Sequence, residues 1–147
     1  MTGVQTCALP ICRAEDQEWL FRVALSRWTI SGVDELLVFY RNSPGGLSAN
    51  LDGMYEGFRA MLEAARESAP ELVGRAGPLA AGRMLRYLAR RALRLDGDRS
   101  VARKYIARGL ALAPRMVISE PKQTIATLLA ATIPGANALL FHMLKRS

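Results

Sequence analysis

The sequence predicts a mainly α-helical protein with one short β-hairpin or strand pair. Three observations point there. Apolar residues recur at three- and four-residue spacing through most of the chain, the mark of amphipathic helices. One stretch, residues 27–41, is instead rich in β-branched and aromatic residues. Proline and glycine cluster between these stretches, where they break a regular backbone.

Residues 1–12 stand apart. The run Gly3-Val4-Gln5-Thr6-Cys7-Ala8-Leu9-Pro10-Ile11 resembles the conceptual translation of a sequencing adapter, so this segment is read as artefactual and kept out of the fold. The other reading of an apolar start is a secretory signal, but the basic beginning and long apolar core are missing. Both cysteines, Cys7 and Cys12, lie in or at the edge of this segment. The body of the chain therefore has no disulfide or thiolate metal ligand to offer, which fits a reducing compartment.

From Glu15 to about Ser26, Trp19, Leu20, Val23 and Ala24 define a helix, and the acids Glu15, Asp16 and Glu18 complement its positive end. This helix should bury its tryptophan side and turn Arg22 outward. Arg27 to Ser31 and Glu35 to Arg41 read as two strands, or one strand plus an extended arm, separated by Gly32-Val33-Asp34. Asn42 to Gly46 is a loop, since proline and two glycines cannot continue a ladder. Ser48 is placed to cap a helix running to about Ala69, with Leu51, Met54, Tyr55, Phe58, Met61, Leu62 and Ala65 in one stripe and Pro70 as its stop. A helix from Pro78 to Leu95 sets Met84, Leu88 and Leu95 against Arg83, Arg86, Arg90 and Arg94 on the opposite side. Asp96-Gly97-Asp98 ends it and caps the next, which runs to about Ala113 before Pro114. Thr124 to Leu144 reads as two short helices joined at Pro134, packed on the apolar side of the arginine-bearing helix.

Charge divides the body in two. Arg13 to Glu71 holds six Lys/Arg against ten Asp/Glu, a net of −4; Leu72 to Ser147 holds fourteen against three, a net of +11. An acidic first part suits active-site carboxylates, and a basic second part suits an anionic surface or solubility.

The acid pair Glu15-Asp16, then Trp19-Leu20, the stretch Leu36-Leu37-Val38-Phe39-Tyr40-Arg41 and the loop Ser43-Pro44-Gly45-Gly46-Leu47-Ser48 follow one another in an order that resembles the second half of a family 2 glycosyltransferase catalytic domain of GT-A type. The resemblance covers residues 13–69 and implies the acceptor-side part of that α/β domain, with residues 70–147 as a helical extension. It implies inverting transfer of a sugar from a nucleotide-sugar donor to the hydroxyl of a saccharide or lipid-linked acceptor, in the building of a cell-envelope polysaccharide. A neutral alcohol is a poor nucleophile until its proton begins to leave, so a base is needed beside it. By resemblance Asp16 is that base and Glu15 helps place it. Arg41, Ser43 and Ser48 stand where the family meets the diphosphate. Ser43 replaces the family's usual histidine and Gly46 its commoner serine, and a hydroxyl is a weak metal ligand.

The resemblance implies a divalent metal, Mg or Mn, for the full-length parent. No Asp-x-Asp motif or Rossmann-like half precedes Glu15 in this sequence. The expectation is that this chain holds no metal and is inactive by itself. Arg83, Arg86, Arg90 and Arg94 could meet anionic lipid at the inner face of a membrane, giving a cytoplasmic protein with peripheral attachment, or form a solvated helix side. No nucleic-acid motif is present. Thr124 to Leu144 has the length of a membrane span, but Pro134, Gly135, Asn137 and His142 argue against insertion; His142 lacks ligand partners. The alternative from another class is a non-enzymatic interaction module, because Gly97 to Pro114 resembles half of a tetratricopeptide repeat, although no second copy occurs.

Overall fold

The computed structural model describes residues 15–26, 28–38, 49–95 and 97–134. Its elements are α1 (Glu15–Leu25), α2 (Leu51–Ser68), α3 (Pro70–Leu95), α4 (Arg99–Leu112), the short α5 (Met116–Ser119) and α6 (Pro121–Thr132). The protein is mainly helical, as its periodicity predicts, and among the described residues there is no strand. Residues 28–38 are extended and bent, and among the described residues no backbone hydrogen bond joins them to another element. The expected strand pair is not found there. Trp28, Ile30, Leu36, Leu37 and Val38 are all exposed, so the segment has strand-like composition but no sheet among the described residues buries it.

Helix α3 is the axis of the molecule, with α2, α4 and the α5–α6 unit packed around it. The core joins Leu85, Leu88, Ala89, Ala92 and Leu93 of α3 to Ala102, Tyr105 and Ile106 of α4, Ala126, Ala130 and Ala131 of α6, and Tyr55 of α2. A smaller cluster of Phe58, Met61 and Ala81 closes the α2 side. The apolar stripe expected on α2 is thus the one buried.

Local chemistry sets most boundaries. Asn50, rather than Ser48, caps α2: its side chain accepts from the Gly53 backbone N–H at 2.8 Å. Pro70 reads in the sequence as the stop of α2, yet it also opens α3 after a single residue, Ala69. Proline suits a first turn because the N–H it lacks would have no helical partner there. Helix α3 therefore begins eight residues earlier than the sequence suggests, with Pro78 inside it. Between α3 and α4, Gly97 takes φ +65°, a region most side chains avoid, and Asp98 caps α4 through Ser100 and Val101. This turn matches the expectation from Asp96-Gly97-Asp98.

The α3–α4 hairpin closes on two glycines. A Cβ placed on Gly82 would lie 2.7 Å from the Ala113 Cβ and 3.1 Å from the Gly109 carbonyl oxygen. One on Gly109 would lie 3.1 Å from the Gly82 carbonyl oxygen. The two backbones touch where neither carries a side chain.

Helix α1 is shallow. Arg22 faces outward and pairs with Glu18 at 2.7 Å, but Trp19 is 55% exposed, so the tryptophan side is not buried as expected.

Candidate functional site

Asp16 lies at the N-terminal end of α1 and is exposed. Its Oδ1 accepts from the Gln17 backbone N–H at 2.8 Å. This contact holds the carboxylate against the helix start, where the macrodipole favours negative charge. Glu15 opens the same helix. Arg41, Ser43 and Ser48, together with Tyr40 and the Pro44-Gly45-Gly46 turn, lie outside the described residues, as do Cys7, Cys12 and His142. Among the described residues, no hydrogen bond or ion pair joins Asp16 to Arg83, Arg86, Arg90 or Arg94. No three His, Cys, Asp or Glu side chains gather in metal-binding array among them either. The described residues thus do not form a site that fits the divalent metal the resemblance implies.

The arginines of α3 do not form a common solvated side. Arg86 is buried, with 4% of its surface exposed. Its Nη1 donates to the Thr124 hydroxyl at 2.9 Å, and its Nη2 to the Gln123 side-chain oxygen at 3.0 Å and to the Glu120 carboxylate. Arg83 binds the other oxygen of Glu120. Thr124 in turn donates to the Met116 carbonyl oxygen at 3.0 Å, tying α5 to α6. Arg83 and Arg94 remain exposed and Arg90 is half-buried. Burial, followed by the neighbouring Arg86 and Arg94, lowers the Arg90 pKa from its ordinary value.

The start of α6 therefore lies over Arg86, while Ala126, Ala130 and Ala131 further along join Leu85 and Leu88 in the core, on the apolar side the sequence suggests. A buried guanidinium is costly unless its donors are met, and here a hydroxyl accepts from Nη1 while a carboxylate and an amide oxygen accept from Nη2. The Nε is buried without an acceptor. Leu95, expected inside with Met84 and Leu88, is 42% exposed, while Leu85, Ala89 and Ala92 are buried.

Glu120 is the residue that sequence reasoning missed. The hydrogen bond from Arg86 holds its carboxyl below the usual range; burial opposes this, and Arg83 adds to it. A signal was present, because Glu120 is the only acid after Asp98. A lone carboxylate amid cations, just before a proline-initiated helix, is poised to be claimed by one of them. Clamped between two guanidiniums, it is a poor proton acceptor, so the cluster holds helices together and offers no base for catalysis.

Two further polar contacts link elements. The Tyr105 hydroxyl of α4 donates to Asp52 Oδ1 of α2 at 2.6 Å; burial first, and then this carboxylate, raises the tyrosine pKa above its ordinary value. Arg108 stacks over the Tyr55 ring at 4.6 Å. Beside that ring, Glu56, Arg59, Val73, Gly77 and Ala81 line an open groove of about 640 Å³ between α2 and α3. Its rim carries both signs of charge and selects no ligand chemistry. Comparison with protein-family models, curated proteins and solved structures finds no significant match.

Proposed function

We propose that this chain is the acceptor-side tail and helical extension of an inverting family 2 glycosyltransferase, with Asp16 the catalytic base of the parent protein. The observation that carries the reading is the order of residues in the sequence: an acid pair before an amphipathic pattern, an apolar stretch ending in Tyr40-Arg41, then Pro44-Gly45 and a second amphipathic pattern. The exposed apolar side chains of residues 28–38 support it, because such residues in extended backbone suit a sheet supplied by a nucleotide-binding half. In this reading Arg41, Ser43 and Ser48 meet the diphosphate, Glu15 places Asp16, and donor and metal are held by that other half. The chain by itself transfers no sugar.

The test uses the uninterrupted parent gene. Asp16→Asn in the parent should lower kcat by about 10²- to 10⁴-fold with little change in donor binding, the range for a lost general base. An unaffected kcat would overturn the assignment of the base; an upstream sequence of helical repeats would overturn the family. The tight α3–α4 hairpin favours the second reading, a helical interaction module, for which Glu15 and Asp16 would have no chemical task.

A further inference from the structure

Helix α6 turns its small residues inward and its large ones outward. Thr124, Ala126, Thr127, Ala130 and Ala131 are buried against α3 and α4. At about 100° per residue, Pro121, Ile125, Leu128 and Thr132 fall on the opposite side. Ile125 is 46% exposed and Leu128 37%, and Ile133 just beyond is 49% exposed. A surface helix normally places polar residues there. The preceding α5 adds Ile118, 85% exposed, and Val117.

The charges of this unit are one-sided. From Arg115 to Pro134 the only acid is Glu120, and it is engaged inward by Arg83 and Arg86. The exposed charges are cations, Arg115 and Lys122. Apolar tips bordered by cations, with no free carboxylate, match the chemistry of an anionic bilayer surface, where aliphatic groups enter the acyl boundary and cations meet headgroups. A second copy of the chain fits less well. Twelve residues span about 18 Å, and a side roughly 10 Å wide offers about 200 Å², far below the ~800 Å² per partner of a stable interface. No helix among the described residues is long and apolar enough to cross a membrane, so the contact lies in the interfacial plane.

We propose that the α5–α6 unit rests on anionic lipid through Ile118, Ile125 and Leu128, with Arg115 and Lys122 as its cationic contacts. This is independent of the glycosyltransferase reading and differs from attachment through the α3 arginines, of which Arg86 is buried.

The test is sedimentation of the full chain with vesicles of phosphatidylcholine plus phosphatidylglycerol, against phosphatidylcholine alone. Wild-type chain should sediment with the anionic vesicles and be released by salt. The double variant Ile125→Glu, Leu128→Glu should lose at least about tenfold in partitioning, and Lys122→Glu several-fold, while Arg94→Glu binds nearly as wild type. Because these positions are exposed, circular dichroism should show an unchanged fold. Absence of wild-type binding would overturn the proposal, as would loss through Arg94→Glu with the α6 variants binding normally. A concentration-dependent dimer dispersed by the α6 double variant, without vesicle binding, would assign the side to a second copy instead.

Discussion

Adding one methyl group to Gly82 should loosen the joint between α3 and α4, whereas the same addition at Gly74, earlier on the same helix, should strengthen the protein. At Gly82 the new carbon would meet the Ala113 Cβ at 2.7 Å, the Gly109 carbonyl oxygen at 3.1 Å and the Met116 Sδ at 3.1 Å. Carbon atoms normally rest about 3.5–4.0 Å apart, so the end of α4 must retreat by roughly 1 Å. Overpacking of this kind costs about 1–3 kcal/mol, and contact with a backbone-fixed Cβ and a carbonyl on the facing helix argues for the upper end. Alanine recovers about 1 kcal/mol through its better helix propensity. The net loss for Gly82→Ala is about 2 kcal/mol, roughly 4–8 °C in Tm. At Gly74 nothing lies within 4 Å, so only the propensity gain remains, roughly 0.5–1 kcal/mol. Urea unfolding followed by helical circular dichroism measures both. If Gly82→Ala proves as stable as Gly74→Ala, the close approach is not a determinant of the hairpin and the reasoning fails.

Glu120→Ala should destabilise by about 3 kcal/mol, because it leaves the Arg86 guanidinium buried without its anion; replacing Arg86 and Glu120 together by apolar residues should cost less than Glu120→Ala alone, measured by the same unfolding experiment. Stability should also depend on pH through Glu120: its folded pKa is lowered, so the contribution is complete above the unfolded carboxylate value of about 4.3 and disappears as pH falls through the folded value. The stability difference between wild type and Glu120→Gln should therefore shrink with acidification below about pH 5, and a constant difference would contradict it. Tyr105→Phe should cost about 1.5–3 kcal/mol, the loss of a hydrogen bond to a charged acceptor, with Asp52→Asn costing little further when combined; full additivity in the double-mutant cycle would show the two do not interact.

Much of the fold was legible before the structure. The α2 stripe of Tyr55, Phe58, Met61 and Ala65, the Gly97-Asp98 turn and the end of α4 before Pro114 follow from spacing and caps, which act over a few residues. The start of α3 did not, because proline at a first turn and proline as a stop are identical in sequence and differ only in what the following residues do. Trp19 and the apolar residues of 28–38 show the opposite failure. Their composition asks for burial, yet whether burial occurs depends on a neighbouring element. For the proposed site, the sequence supplied the order of Glu15, Asp16, Arg41, Ser43 and Ser48, and the structure describes only the first two of these positions.

By itself the sequence determined the mainly helical class, most helix ends and the unequal distribution of charge, since periodicity, capping and composition are local properties. Only tertiary structure decided which arginine of the α3 stripe would be buried. Arg83, Arg86, Arg90 and Arg94 look alike along the chain, and Arg86 differs because Glu120, Gln123 and Thr124, more than thirty residues away, converge on it. A guanidinium leaves water only where enough acceptors meet it, and no helical repeat can record where a distant carboxylate will stand.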